Sequence, residues 1–150
     1  MAEKNMVIIK LQAWKHVIAE EYHLALQLLQ GPILQKKKHN SETVAIYGAC
    51  LAIAGNKKKE GIHICKQAAL KSPKNANIQF LLGLAFMTAE LRGRAVEAFE
   101  TGLEIDPSHK LINKALEELG RRQRPPIPFL PRSHALNIAL GRKIHAMKNR

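Results

Sequence analysis

The residue types that perform acid–base, nucleophilic or metal chemistry are few in this chain and do not cluster along it. Asp106 is the only aspartate, and no Cys-x-x-Cys or His-x-x-x-His pattern accompanies the two cysteines, Cys50 and Cys65. The seven histidines are scattered, and no glycine-rich phosphate loop occurs. Because a nucleophile, a base and an orienting acid cannot be assembled from these residues, we predict a protein that is not an enzyme and that has no cofactor or metal.

The cysteines and the lengths of the apolar runs indicate where in the cell the protein is located. Two cysteines without a metal-ligand spacing are typical of buried or half-buried thiols in a reducing environment, and we expect no disulfide. No apolar run reaches the eighteen residues of a membrane span, and residues 6–9 are too short a run for a signal peptide. We therefore predict a cytoplasmic protein, and a location at the periphery of a membrane stays open.

Residues that recur at a spacing of 34 predict the elements of the chain. Pro73 and Pro107 have this spacing, and so do the small residues Gly61 and Ala95. Small residues at constant offsets allow two helices to approach closely, and a proline ends the second helix before the next one begins. A period of 34 residues is typical of arrays of paired helices.

The segment 94–107 resembles the second helix of a tetratricopeptide repeat (TPR), because its small residues, aromatic residue and proline follow the family's order: Ala95, Phe99, Gly102 and Pro107. Two weaker copies precede it, and the resemblance covers about residues 6–109. It implies an all-α, TPR-like α-solenoid of about three helix pairs, predicted at residues 6–37, 43–71 and 76–106. Two extra residues separate the first copy from the second.

Two further segments follow the predicted pairs. A short helix after Pro107, with one apolar stripe, is predicted to cap the array, because a stacked array needs a terminal element over its open face. We place a domain boundary after Gly120, so that residues 1–120 form the repeat domain and residues 121–150 form a basic, proline-rich linker and a C-terminal amphipathic helix. The cap's stripe contains Leu111, Ile112, Ala115, Leu116 and Leu119.

The resemblance also implies that the first helix of each pair lines a concave groove. Relatives that bind the carboxylate tails of chaperones use Lys, Arg and Asn there. Lys10 and Asn77 fit that pattern but Trp14, Cys50 and Leu84 do not, so we do not expect a carboxylate clamp. Alignment of the repeats predicts a mostly apolar groove lined by Val7, Lys10, Trp14, Val17, Thr43, Ile46, Cys50, Ile53, Asn77, Phe80, Leu84 and Met87.

An apolar groove of this kind indicates an interaction site. It predicts a small adaptor or scaffold, such as a chaperone or assembly factor, which binds an apolar peptide or helix of another protein. The alternative is that these side chains pack as ordinary core.

The tail differs sharply from the rest of the chain in charge. Residues 1–120 contain sixteen basic and twelve acidic side chains, so the tail supplies eight of the twelve net positive charges and contains no acid. Its prolines favour an extended path up to residue 132, and Ser133 is predicted to cap a helix with an apolar stripe at Leu136, Leu140, Ile144 and Met147. The basic residues are Arg121, Arg122, Arg124, Arg132, Arg142, Lys143, Lys148 and Arg150.

Three hypotheses for the tail remain open from the sequence. It folds back into the chain's own groove and regulates it, it binds an anionic membrane or nucleic acid, or it is a solvated basic segment. Docking of the tail in the groove belongs to the adaptor hypothesis, and binding of the tail to a membrane or nucleic acid is the alternative function. The oligomeric state also stays open, because the tail of one copy could fill a neighbour's groove.

Overall fold

The computed structural model describes residues 2–35, 39–120, 138–139 and 142–143, and these residues form helices and turns without a strand. The chain divides into two compact units, Met1–Leu116 and Glu117–Arg150. The boundary after Gly120 stays a prediction. The helices are α1 (Ala2–Ile18), α2 (Tyr22–Gln35), α3 (Ser41–Ile53), α4 (Lys58–Lys71), α5 (Ala76–Thr88), α6 (Arg92–Ile105) and α7 (Lys110–Glu118).

The first six helices form three pairs, which confirms the predicted all-α array. Each helix from α1 to α5 packs on the next one along the chain. The central first helix, α3, also packs on both α1 and α5. The first helices of the three pairs therefore lie side by side, and their exposed faces can form one continuous surface.

Asparagine side chains begin the first helices of the second and third pairs. Asn40 Oδ1 accepts a hydrogen bond from the backbone N–H of Glu42 at 2.8 Å, and Asn75 Oδ1 accepts one from the backbone N–H of Ile78 at 3.3 Å. Each bond satisfies an amide that has no partner within the first turn of its helix. The two caps define the start of each repeat.

The turn inside each pair has the same backbone conformation. Glu20, Asn56 and Glu90 have φ values of 61°, 54° and 61°, in the left-handed region. The first two lie 36 residues apart and the last two lie 34 apart. The left-handed turns therefore support three copies of one unit, and the two extra residues lie between the first turn and the second.

Close contacts inside the pairs require glycine. A Cβ on Gly83 of α5 would overlap the ring of Phe99 in α6, and a Cβ on Gly61 of α4 would meet the backbone carbonyl of Gly48 in α3. The small residues that recur in the sequence therefore lie where paired helices touch. The core around them includes Leu29, Ile46, Ile78, Leu81 and Phe99.

The helix α7 closes the end of the array. Ile112 and Leu116 are buried, and the Ile112 side chain lies against Gly102 of α6. The predicted capping helix is thereby confirmed, with the three other residues of its stripe half-buried. Gly120, with φ 62°, follows the end of this helix. None of the helices in the described part of the chain combines the length and the apolar character that crossing a bilayer requires.

Candidate protein-binding face

Four polar side chains from successive parts of the array form one hydrogen-bonded row. The polar row consists of Lys10 of α1, Glu42 of α3, Asn77 of α5 and His109, the residue that precedes α7. The first three belong to the first helices of the three pairs, and the fourth lies at the start of the cap. The row therefore connects α1 to the capping helix.

The hydrogen bonds of the polar row converge on the Glu42 carboxylate. Lys10 Nζ donates to Glu42 Oε2 at 3.1 Å, and Asn77 Nδ2 donates to Glu42 Oε1 at 2.6 Å. His109 Nε2 lies 2.9 Å from Asn77 Oδ1, and His109 Nδ1 accepts from the backbone N–H of Ile112 at 3.3 Å. Because Nδ1 accepts, the ring proton must be on Nε2, which donates to Asn77. The row is satisfied by a neutral imidazole.

The charges of the polar row cancel. The Lys10 ammonium and the Glu42 carboxylate are partly buried, with side chains 27% and 15% exposed. Burial lowers the pKa of His109, although the nearby Asp106 carboxylate acts in the opposite direction. Hydrogen bonds from the Ser108 side chain and backbone lower the pKa of Asp106 itself, which keeps that carboxylate ionised.

An aromatic cluster lies beside the polar row. The ring of Phe80 has centroid distances of 6.3 Å to Trp14, 6.2 Å to Phe99 and 5.8 Å to His109. The Trp14 contact is edge-to-face, a favourable arrangement for two aromatic rings. Phe80 is buried and Trp14 is half-buried, so Trp14 is the member of this cluster that combines a large apolar area with solvent exposure.

The structure divides the predicted groove residues into two groups. Val17, Ile46, Cys50 and Phe80 are at most 6% exposed, as is Thr43, so they pack as core and support the face from below. This corrects their predicted exposure: α3 has a first helix on each side, and Phe80 is covered by aromatic rings. The residues that remain accessible are Val7, which is exposed, and the half-buried Lys10, Trp14, Ile53, Asn77, Leu84 and Met87.

Sequence reasoning missed Glu42 and His109 as members of this surface. Along the chain, the four residues of the polar row are separated by 32, 35 and 32 positions, close to the repeat length. A search for polar residues that recur at about the repeat length would have found them. Alignment on apolar positions selected Thr43, the neighbour of Glu42, instead.

Cys50 and Cys65 are free thiols, and both are buried as predicted. Cys65 Sγ donates to the backbone carbonyl of Ala45 at 3.4 Å. Burial raises the pKa of Cys50 to about 12, and burial together with the neighbouring Cys50 raises the pKa of Cys65 as well. Neither thiol is suited to act as a nucleophile near neutral pH.

Only a small part of the predicted basic helix is described. Residues 138–139 and 142–143 are helical and exposed, and they include the basic residues Arg142 and Lys143. The other basic residues of the tail, and the predicted stripe of Leu136, Leu140, Ile144 and Met147, lie outside the described residues.

Known structures share the arrangement of these helices. The TPR domain of Arabidopsis OM64 matches 81% of this chain and 99% of its own length with a TM-score of 0.58 and 16% sequence identity. This chain has a TPR-like fold. No protein-family model matches this TPR-like chain, and no curated protein sequence matches it either.

Two more TPR structures have been solved that resemble the chain. The second TPR domain of human RPAP3, in complex with the HSP70 peptide SGPTIEEVD, matches 79% of this chain and 98% of its own with a TM-score of 0.56 and 18% identity. YrrB, a TPR protein with an unusual peptide-binding site, matches 73% of this chain and 55% of its own with a TM-score of 0.56 and 24% identity. At these identities the similarity concerns the fold.

Proposed function

We propose that this TPR-like protein is a small adaptor that binds an apolar segment of another protein. The binding face consists of the polar row together with the half-buried apolar residues Trp14, Ile53, Leu84 and Met87. The observation that supports the proposal is the side-by-side packing of the first helices, each of which contributes some of these side chains.

Helix geometry supports a common face for the polar and apolar members. At about 100° per residue, Asn77, Leu84 and Met87 fall within about 80° of one another around α5, and Glu42 and Ile53 fall within about 20° around α3. Apolar side chains therefore continue each first helix on the side that carries the polar row. Such a surface offers both apolar area and hydrogen-bonding groups, as peptide-binding grooves do.

The comparisons give independent support for a peptide ligand. A domain of the same fold, from human RPAP3, was solved with a bound peptide, and YrrB has a peptide-binding site. A binding module also agrees with the lack of a catalytic constellation in the sequence. We therefore favour binding over catalysis as the role of this chain.

A peptide-display selection against the full chain, followed by fluorescence anisotropy with the selected peptides, tests this proposal. Leu84→Glu should weaken binding about tenfold or more, because it places a charge in the apolar part of the face. Leu70→Glu is the matched control, since Leu70 lies on the second helix α4 and is 75% exposed. Equal binding by the two variants, with helicity preserved in both, would contradict the proposed face.

The charge of the tail supports a second candidate function. Eight basic residues and no acid in the last thirty positions favour binding of the tail to an anionic membrane or to nucleic acid. Binding driven by phosphate contacts should weaken by orders of magnitude as salt is raised, whereas binding at an apolar face should change little.

We also propose that the apolar stripe of the tail occupies the binding face when no partner is present.

A further inference from the structure

Glu42 occupies the centre of the polar row, where its carboxylate satisfies the donors on both sides. One oxygen accepts from the Lys10 ammonium at 3.1 Å and the other accepts from the Asn77 amide at 2.6 Å. Glu42 also lies in the first turn of α3, where a negative charge interacts favourably with the helix N-terminus. Three separate groups therefore hold this carboxylate in place.

An incoming carboxylate would find the only cation of the polar row already paired with a carboxylate. The charge of Lys10 is neutralised by Glu42, the Asn77 amide donates to the same residue, and the ring proton of His109 is donated to Asn77. The second carboxylate would also stand close to the first, and like charges repel strongly where water is partly excluded. A neutral segment meets neither obstacle.

We infer that Glu42 determines the charge selectivity of the binding face. It admits neutral apolar segments and rejects segments that bring a carboxylate to the polar row, because the chain's own carboxylate already takes that place. The partner is therefore an apolar stretch of a protein chain that brings no carboxylate to the polar row, internal to its sequence or with a blocked C-terminus. This inference rests on the proposed binding function and adds the class of partner to it.

Two peptides that differ only in charge test the selectivity. The acidic probe is SGPTIEEVD, and the neutral probe is SGPTIQQVN with an amidated C-terminus. Removal of the Glu42 carboxylate in Glu42→Ala should leave Lys10 and Asn77 free to bind the acidic probe. We expect its affinity to rise about tenfold or more, measured by fluorescence anisotropy at low salt, while affinity for the neutral probe stays within about twofold.

Three variants serve as controls. Glu42→Gln keeps the shape of the side chain without the charge and should give a smaller gain. Lys10→Met in the Glu42→Ala background should remove the gain, because the freed ammonium is its source. Glu60→Ala removes an acid from the first turn of α4, where Glu60 pairs at the surface with Lys57 at 3.5 Å, and should change neither affinity.

Each other result overturns the inference. Equal binding of the acidic probe by the wild type and Glu42→Ala, no binding by either, or an equal gain for both probes would show that Glu42 does not set the charge preference. Melting curves and circular dichroism of each variant establish that it is folded. If binding of the display-selected peptides still depends on Leu84, the adaptor function stands even where the charge selectivity fails. If that binding does not depend on Leu84, the adaptor function itself fails.

Discussion

Gly83 and Gly93 are both helical glycines, but only Gly83 faces another helix. A Cβ on Gly83 would overlap the ring of Phe99, whereas one on Gly93 would meet nothing within 4 Å. We expect Gly83→Ala to lower the free energy of unfolding by about 1–3 kcal/mol, because the ring must move. Gly93→Ala should raise it by about 0.5–1 kcal/mol through helix propensity alone. Urea denaturation measures both values, and effects of the same sign would contradict this packing.

The two cysteines should be unreactive in the folded protein. Burial keeps both thiols protonated, since the pKa of Cys50 is raised to about 12 and that of Cys65 is raised as well. Ellman's reagent at neutral pH should therefore react with neither thiol until the chain opens, and with both in denaturant. Rapid reaction of either one under native conditions would show that the contacts between α3 and α4 are not as described.

The sequence predicted which side of each first helix faces inward, but not which residues neighbouring helices cover. Ile46 and Cys50 on the central helix α3 are buried, whereas Leu84 and Met87 at the far end of α5 stay accessible. The difference arises from how many helices surround each position, and a repeat alignment contains no such information. Glu42 was missed for a related reason, since a charged residue at a helix start is ordinarily a solvated cap.

At the scale of elements, the repeated left-handed turn gives a prediction with its own control. Glu90 has φ 61°, where a residue with a Cβ is strained by about 1 kcal/mol or more and glycine is not. Glu90→Gly should therefore raise the melting temperature slightly or leave it unchanged. The same substitution at the exposed helical residue Glu97 should lower the free energy of unfolding by about 1 kcal/mol. Comparable losses at both positions would argue against the turn geometry.

The side chain that caps α7, His109, should make the stability of the protein depend on pH. His109 has a folded pKa below its ordinary value of 6.5, so on acidification the unfolded chain takes up the proton first. The contribution of His109 is present in full above about pH 7 and decreases as the pH falls through 6.5 towards the folded pKa. Protonation of Nδ1 also breaks its bond to the Ile112 amide. We expect His109→Asn to flatten the decline of melting temperature between pH 7.5 and pH 5. An unchanged pH profile in His109→Asn would place the titrating group elsewhere.

Most of the helical elements could be predicted from the sequence, because prolines and capping residues lie close to the ends of the helices. Pro73 and Pro107 each lie two residues after the end of their helix, α4 and α6, and Asn40 precedes α3. The start of the first helix was placed at Met6, whereas α1 begins at Ala2. Residues 2–5 lack apolar periodicity, so the pattern that predicted the other helices was absent there.

For the whole molecule, the decisive change is removal of residues 121–150. The core closes on Ile112 and Leu116 of α7, so we expect the 1–120 fragment to keep its helicity. If the tail occupies the binding face, the fragment should melt at a lower temperature and bind an apolar dye, and residues 134–147 of the full chain should be protected from hydrogen exchange. Rapid exchange throughout that segment, with an unchanged melting temperature, would instead support the outward-facing basic tail.

The polar row ends at Lys10 and at His109, and Asn77 between them both donates and accepts. Lys10 can only donate and the Nδ1 of His109 is engaged in capping α7, so the row stops at each of them. The amide of Asn77 accepts from one neighbour and donates to the other. A second copy of residues 75–108, inserted before His109, would place a second Asn77 amide beside the first. The N–H of the second amide could then donate to the oxygen of the first. The array can therefore be lengthened one repeat at a time without leaving a polar group unsatisfied.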